Sequence, residues 1–239
     1  MTDATRVRAR LQALADPVRA TGQRRFFKTG VGQYGEGDIF WGIRNAEVRS
    51  VAKEAKALPL PQVEALLEDP VHEVRLCALL LLVEQFRRAD AARQKGIVAL
   101  YLRRTDRVNN WDLVDLSASL LGQWLWDKDR SLLGQLAEGG LWEQRIAVVS
   151  TLEFIRRGDF AETLRLCRRL LRHPHDLMHK ALGWMLREVG KRDEAVLRAF
   201  IEQHGVEMPR TMLRYAIERL PREEREALLI QTRRCRRPR

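Results

Sequence analysis

Apolar residues recur at helical spacing along nearly the whole chain, and this period most constrains the fold. The alternation of Val, Ile and Thr that marks half-buried strands is missing, and Leu, Ala, Arg and Glu dominate. With 239 residues, the chain can bury a sizeable core as one large helical domain or two small ones. We predict an all-α fold, with one domain as the simpler arrangement.

The helices that follow residue 44 fall into pairs, as in HEAT-like repeats built from two-helix units of about 40 residues. In the clearest unit, DPVHEVRLCALLLLVEQF, Pro70 can open a helix. Its apolar stripe consists of Val74, Cys77, Ala78 and Leu81. The segment LWEQRIAVVSTLEFI echoes it, with Arg145 in the place of Arg75. These units predict a curved α-α superhelix over residues 1–231 with a concave basic face.

The chain is strongly basic, with 43 Lys and Arg against 32 Asp and Glu and a net charge of +11. Such an excess raises affinity for polyanions, because each neutralised phosphate releases condensed counterions. A solvated surface in an arginine-rich proteome explains the excess equally well. Charge alone therefore leaves nucleic-acid binding open.

The cysteines and the N-terminus indicate a cytoplasmic protein, nucleoid-associated if prokaryotic. Cys77, Cys167 and Cys235 lie far apart and form no C-x-x-C pair, so neither a disulfide framework nor a zinc ribbon is indicated. Residues 1–10 contain no apolar core of a signal peptide, and no stretch approaches the roughly 20 apolar residues of a membrane span. We expect neither secretion nor insertion into a membrane.

The segment 28–44, KTGVGQYGEGDIFWGIR, carries five glycines and predicts an ordered surface loop with a buried end at Phe40 and Trp41. Its glycines at positions 30, 32 and 35 match the dinucleotide pattern G-x-G-x-x-G. No βαβ unit surrounds them, so we reject a nucleotide site in favour of a structural loop. A backbone contact to phosphate is the second possibility.

His173, His175 and His179 cluster, and the last two could share a helix face. No cysteine or fourth ligand is nearby, so surface or capping histidines are favoured over a metal site. We predict no metal and no organic cofactor.

The segment VNNWDLVDLSA brings an aromatic ring and a carboxylate together. Asn110 is a good N-cap, so Trp111 and Asp115 lie one turn apart on the same helix face, with Asp112 turned away. The alternative is a core tryptophan and a surface aspartate, which this helix alone would favour.

Two later segments are basic. In KALGWMLREVGKR, Lys180, Trp184 and Arg187 form one stripe, which suits a phosphodiester backbone; the alternative is a core tryptophan with snorkelling cations. In MPRTMLRYAIERLP, Pro209 opens a helix with further arginines, and the alternative is a solvated terminal helix. Those arginines are Arg210, Arg214 and Arg219. The basic tail 232–239 is predicted to be disordered, as a phosphate contact or a charged end.

Five collinear segments resemble the AlkD-like DNA alkylation repair family: FFKTGVGQYGEGDIFWGIR, NNWDLVD, LWEQRIAV, HKALGWMLRE and MPRTMLRYAIERL. Members of that family are HEAT-like repeat proteins that excise N3- and N7-alkylated purines. The resemblance implies a DNA glycosylase that acts on alkylated duplex DNA. It also implies that the duplex is held by its backbone with the lesion exposed, whereas most glycosylases flip the base into a pocket.

By the same resemblance, Trp111 and Asp115 are the aromatic and the catalytic carboxylate, Trp184 is a second cleft tryptophan, and Arg145 contacts the DNA backbone. A further family aromatic falls at Phe26 or Phe27. We predict that the DNA-binding residues are Arg145, Lys180, Arg187, Arg210 and Arg214.

The chemistry supports this assignment, because a purine alkylated at N3 or N7 is already cationic and leaves an oxocarbenium-like sugar. A fixed charge at Asp115 and the electron-rich faces of Trp111 and Trp184 favour that cation. Asp115 could also orient the attacking water.

The main alternative is a non-catalytic HEAT-like module that binds DNA structure or a protein, since fold does not fix function. A pure DNA-binding module has no need of Asp115, which would repel phosphates, and a protein scaffold predicts an apolar or acidic face. A related enzyme for another lesion or for RNA also stays open. A monomer suffices, and no obligate protein partner is implied.

Overall fold

Helices make up the regular secondary structure of residues 3–234, the part of the chain that the computed structural model describes, with side chains to residue 232. Within this part no strand forms, and an isolated parallel bridge joins Ile39 to Val71. The all-α prediction is confirmed. Among the described helices, none combines the length and the apolar character that crossing a bilayer requires.

The chain divides into two compact units, residues 1–121 and 122–239. The first contains α1 (Ala4–Gln12), α2 (Pro17–Phe26), α3 (Asn45–Glu54), α4 (Leu60–Leu67), α5 (His72–Arg88), α6 (Ala91–Arg103), a 3-10 turn (Thr105–Arg107) and α7 (Trp111–Ser117). The boundary falls within α8 (Ser119–Trp124). The second contains α9 (Ser131–Leu136), α10 (Leu141–Ser150), α11 (Leu152–Arg156), α12 (Ala161–Arg169), α13 (Asp176–Gly190), α14 (Glu194–His204), α15 (Arg210–Ala216) and α16 (Arg222–Arg234). A single curved domain over 1–231 stays a prediction.

Helix α5 is the centre of the first unit and packs against α3, α4 and α7. The predicted stripe from Val74 to Leu81 is buried, and Leu76, Leu79 and Leu82 on the other faces are buried too. A helix that is apolar all round belongs in the interior. Its first turn nevertheless buries charged side chains, which sets up the candidate site.

The glycine-rich segment 28–44 is ordered by a carboxylate of α5. Glu73 accepts hydrogen bonds from three consecutive backbone N–H groups centred on Gly42, at 2.8 to 3.1 Å. Gly42 has φ +81°, and a Cβ there would lie 2.1 Å from the carbonyl oxygen of Asp16, so only glycine fits. As predicted, Phe40 is buried, and the tryptophan after it is half-buried.

The glycines of the G-x-G-x-x-G pattern lie in this loop, between α2 and α3, and no strand precedes them within the described residues. Gly35 is buried, and a Cβ there would lie 2.3 Å from the carbonyl oxygen of Phe27. Close packing of backbone against backbone therefore accounts for this glycine, in agreement with a structural loop.

Helix α13 is the centre of the second unit and packs against α10, α12, α14 and α15. Gly183 permits the approach of α15, because a Cβ would lie 2.5 Å from the Met212 carbonyl oxygen and from the Tyr215 Cβ. In the echo of the first repeat, Ile146 and Val149 are buried.

Helix α16 extends three residues into the predicted tail. Thr232 is buried, and its hydroxyl donates to the Leu228 carbonyl oxygen at 2.7 Å and accepts from Arg210 at 2.9 Å. These bonds tie the last turns of the helix to α15. Residues 235–239 of the tail lie outside the described residues.

Candidate active site

The start of α7 is fixed by Asn110, as the sequence predicts. Its side-chain oxygen accepts from the Trp111 backbone N–H at 2.9 Å, and its amide nitrogen donates to Asp38 at 3.1 Å. Asn110 is completely buried. The first turn of α7 is therefore capped and attached to the glycine-rich loop by a single side chain.

Trp111 lies in a cluster of aromatic rings. Its indole stacks on Phe27, with ring centroids 5.4 Å apart and planes 20° from parallel, and it meets Phe26 edge-on at 5.8 Å. Phe27 in turn stacks on Phe40 at 4.9 Å, and Phe40 stacks on His72 at 4.4 Å. We call these five residues the aromatic cluster. Trp111 is half-buried and Phe26 is 63% exposed, so the cluster runs from the core to the surface.

Asp115 lies one helical turn after Trp111 on α7 and is half-buried. Burial raises the pKa of Tyr101, and the negative charge of Asp115 raises it further. The Tyr101 hydroxyl hydrogen-bonds to Ser117 at 3.0 Å. Asp115 thus lies within electrostatic range of a buried, neutral phenol, on a helix whose start is fixed.

A network of buried charges connects the start of α7 to α5 and to the glycine-rich loop. One ring nitrogen of His72 bonds to Asp38 at 3.1 Å and the other to Asp112 at 2.9 Å. Arg75 donates to Asp38 at 2.5 Å and to Asn109 at 3.2 Å. We call Asp38, His72, Arg75 and Asp112 the buried charge network. It joins the loop, α5 and α7.

The network holds His72 in its charged form. Burial works against the charge, but the hydrogen bonds to Asp112 and Asp38 outweigh it and raise the pKa of His72 from 6.5 to about 9. Burial also raises the pKa of Asp38, yet His72 and Arg75 lower it by more, so that it lies below 3.8. At neutral pH an imidazolium therefore bridges two carboxylates.

The predicted stripe on α13 exists, and each of its members has an acidic neighbour. Lys180, 40% exposed, pairs with Asp176 at 2.9 Å. The Trp184 indole donates to Glu188 at 3.2 Å, and Arg187 pairs with Glu218. All three members are half-buried.

The other predicted DNA-binding arginines have different surroundings. Arg145 is buried, and its guanidinium donates to the Leu177 carbonyl oxygen at 2.6 Å, which links α10 to α13. Arg210 donates to Thr232 and to the Leu229 carbonyl oxygen. Arg214 is exposed. The contact of these three arginines with phosphate stays a prediction. In the structure, Arg145 and Arg210 each connect two helices.

The three clustered histidines use ring nitrogens in local hydrogen bonds. His173 accepts from the His175 backbone N–H, and His175 accepts from the Leu177 backbone N–H at the start of α13. The His179 ring bonds to the His173 carbonyl oxygen at 2.6 Å. Their positions fit capping.

Sequence reasoning did not identify Asp38 or His72 as neighbours of the site, and it left Asp112 without a role. The partner of Asp112 is His72, which lies 40 residues earlier in the chain. Asp38 had one indication in the sequence, as an acid that directly precedes the apolar residues Ile39, Phe40 and Trp41.

Comparison with known proteins identifies the family of the chain and a similar fold. The sequence model of a family described as "DNA alkylation repair enzyme" matches residues 7–220. A solved structure described as a predicted DNA alkylation repair enzyme from Enterococcus faecalis is similar in fold, with a TM-score of 0.68 and 18% identity, over 87% of this chain and 97% of that one. A search of curated proteins found no match.

The family model covers most of this chain, whose described residues are all helical apart from loops and turns. The chain belongs to the DNA alkylation repair enzyme family. A role in the repair of alkylated DNA follows from that membership.

Proposed function

We propose that the protein is an alkylpurine DNA glycosylase, which holds duplex DNA by its backbone and hydrolyses the N-glycosidic bond of N3- and N7-alkylated purines. The observation that carries the proposal is the pairing of Asp115 with Trp111, one helical turn apart, on a helix whose start is fixed by Asn110 and the buried charge network. Fixed charges stabilise a transition state without reorganising as it forms.

The chemistry assigns a role to each residue. An alkylated purine is cationic and leaves readily, so the barrier is set largely by the positive charge that develops on the sugar. Asp115 stabilises that charge and orients the attacking water. The indoles of Trp111 and Trp184 present electron-rich faces to the cationic nucleotide. Arg145, Lys180, Arg187, Arg210 and Arg214 are proposed to contact the DNA.

A panel of duplexes that differ in one base tests the proposal. We expect alkali-sensitive abasic sites in a duplex that carries 7-methylguanine, and none in duplexes that carry uracil or O6-methylguanine, because those bases are neutral and the site offers no general acid in this mechanism. Tight binding to all duplexes without abasic sites would instead indicate a non-catalytic DNA-binding module.

Lys180→Ala is expected to weaken duplex binding equally for all sequences, since a phosphate contact carries no base identity. The slope of log affinity against log salt should fall by about 1. The matched control is Lys191→Ala, because Lys191 is equally exposed and likewise pairs with a carboxylate, Glu188 at 2.7 Å. Equal slopes for the two variants would remove Lys180 from the interface.

A further inference from the structure

A basic groove in the first unit lies outside every DNA contact predicted above. It is a surface cavity of about 340 Å³ between α3 and α5. Its rim carries five cationic side chains: Arg49, Lys53, Lys56, Arg87 and Arg88. Its floor is apolar and includes Ala52, Val83 and Leu116. We call this cavity, defined by its five cations, the basic groove.

The cations on α3 follow the helical period. Arg49 and Lys53 lie at positions i and i+4 on one face of α3, Lys56 lies in the turn that follows the helix, and all three are exposed. Arg49 and Lys53 lie about 6 Å apart along the helix axis, and Lys56 adds a third cation to the same cavity beyond the end of α3. One DNA strand presents a phosphate about every 3.4 Å of duplex axis, so cations separated by several ångströms can contact successive phosphates.

These three cations have no acidic partner among residues 3–232, whereas most cations discussed above are paired. Glu84 is the one acid on the rim within the described residues, and it is bonded to Arg88 at 2.6 Å and lies 4.0 Å from Arg87. The rim therefore carries a net positive charge. Like charges held this close are stabilised when a polyanion binds.

The groove also continues beyond this cavity. A second depression of about 290 Å³ shares Lys56, Glu84 and Arg88 with it and adds Arg93 to the cationic side. A small anion would need only one such cavity, whereas an elongated polyanion fits a run of two. The first cavity reaches α7 at Leu116, the residue that follows Asp115.

We propose that the basic groove is a second binding site for the duplex backbone, which holds the phosphates that flank the lesion while Asp115 faces the damaged nucleotide. This inference rests on the proposed function and extends it, because it adds a DNA contact made by α3 and α5. Exposed, flexible cations above an apolar floor suit phosphate and sugar, and they predict no preference for sequence.

The test is the triple variant Arg49→Gln, Lys53→Gln and Lys56→Gln, measured against the triple variant Arg6→Gln, Arg10→Gln and Lys95→Gln. Both sets consist of exposed side chains, and both lower the net charge by the same amount. We expect the groove variant to bind undamaged duplex roughly tenfold more weakly than the control, with a slope of log affinity against log salt lower by about two to three.

An excision assay distinguishes a failure of the basic groove as a DNA contact from a failure of the proposed function. With 7-methylguanine duplex, the groove variant should need more protein to reach half-maximal single-turnover rate, while the rate at saturation stays that of the control. If the wild type excises and both triple variants bind alike, the groove is not a DNA contact and the proposed function stands. If the wild type does not excise, the proposed function fails. The difference in binding between the two triple variants still shows whether the groove contacts DNA.

Discussion

Asp115→Asn is expected to slow the single-turnover release of 7-methylguanine by at least about a hundredfold, because it removes the fixed charge that stabilises the developing cation on the sugar. The amide has the same shape as the carboxylate, so the position of α7 should not change. Affinity for duplex DNA should be equal or higher, since a carboxylate near phosphates repels them.

The control for this experiment is Asp106→Asn, which removes the same charge from an exposed aspartate in the 3-10 turn that precedes α7. It should retain the wild-type rate. A normal rate in Asp115→Asn, or a loss of DNA affinity in that variant, would count against the catalytic role of the carboxylate.

Asp38→Asn is expected to lower the free energy of unfolding by about 3 to 5 kcal/mol, because it leaves the buried charges of His72 and Arg75 with one partner fewer. Urea unfolding of the variant measures the loss. Asp106→Asn serves again as the control and should change stability by no more than about 0.5 kcal/mol, as exposed substitutions do.

The pH dependence of stability gives the same network a second test. The folded pKa of His72 is raised, from 6.5 to about 9, so its contribution is fully present below pH 6.5 and is lost as the pH rises through about 9. In the wild type this loss is on the order of 3 kcal/mol. Asp38→Asn removes one charge that raises this pKa, so its stability should fall less steeply over the same range.

Identical slopes of stability against pH in the wild type and Asp38→Asn, together with a stability change below about 1 kcal/mol, would show that the network does not hold charge as the geometry indicates.

The contribution of Asp38 to stability depends on pH in the opposite direction. Its folded pKa is lowered, so it stabilises above pH 3.8 and is lost as the pH falls through the folded value.

Much of the fold could be predicted because it depends on local pattern. The spacing of Val74, Cys77 and Leu81 identified a buried helix, and Asn110 identified the start of α7. Both follow from rules that act within one or two turns of chain. The pairing of Trp111 with Asp115 on one helix is local in the same sense.

The surroundings of the site could not be predicted, because they depend on contacts between distant parts of the chain. His72 meets Asp38 and Asp112 across 34 and 40 residues. A similar limit applies to Arg145, for which the family resemblance implies a contact with the DNA backbone: the sequence does not indicate that it is 4% exposed and donates to a carbonyl oxygen of α13. A cation on a helix is equally compatible with either partner until the neighbouring helix is known.

The most direct test of the central claim is the identity of the product from a duplex whose 7-methylguanine carries an isotope label in both the ring and the methyl group. Repair of alkylated DNA can proceed by excision of the base or by removal of the alkyl group alone. Excision predicts free 7-methylguanine with both labels, recovered in equal amount to the abasic sites left in the duplex. Ring label that stays in the DNA as restored guanine, without abasic sites, would contradict the account.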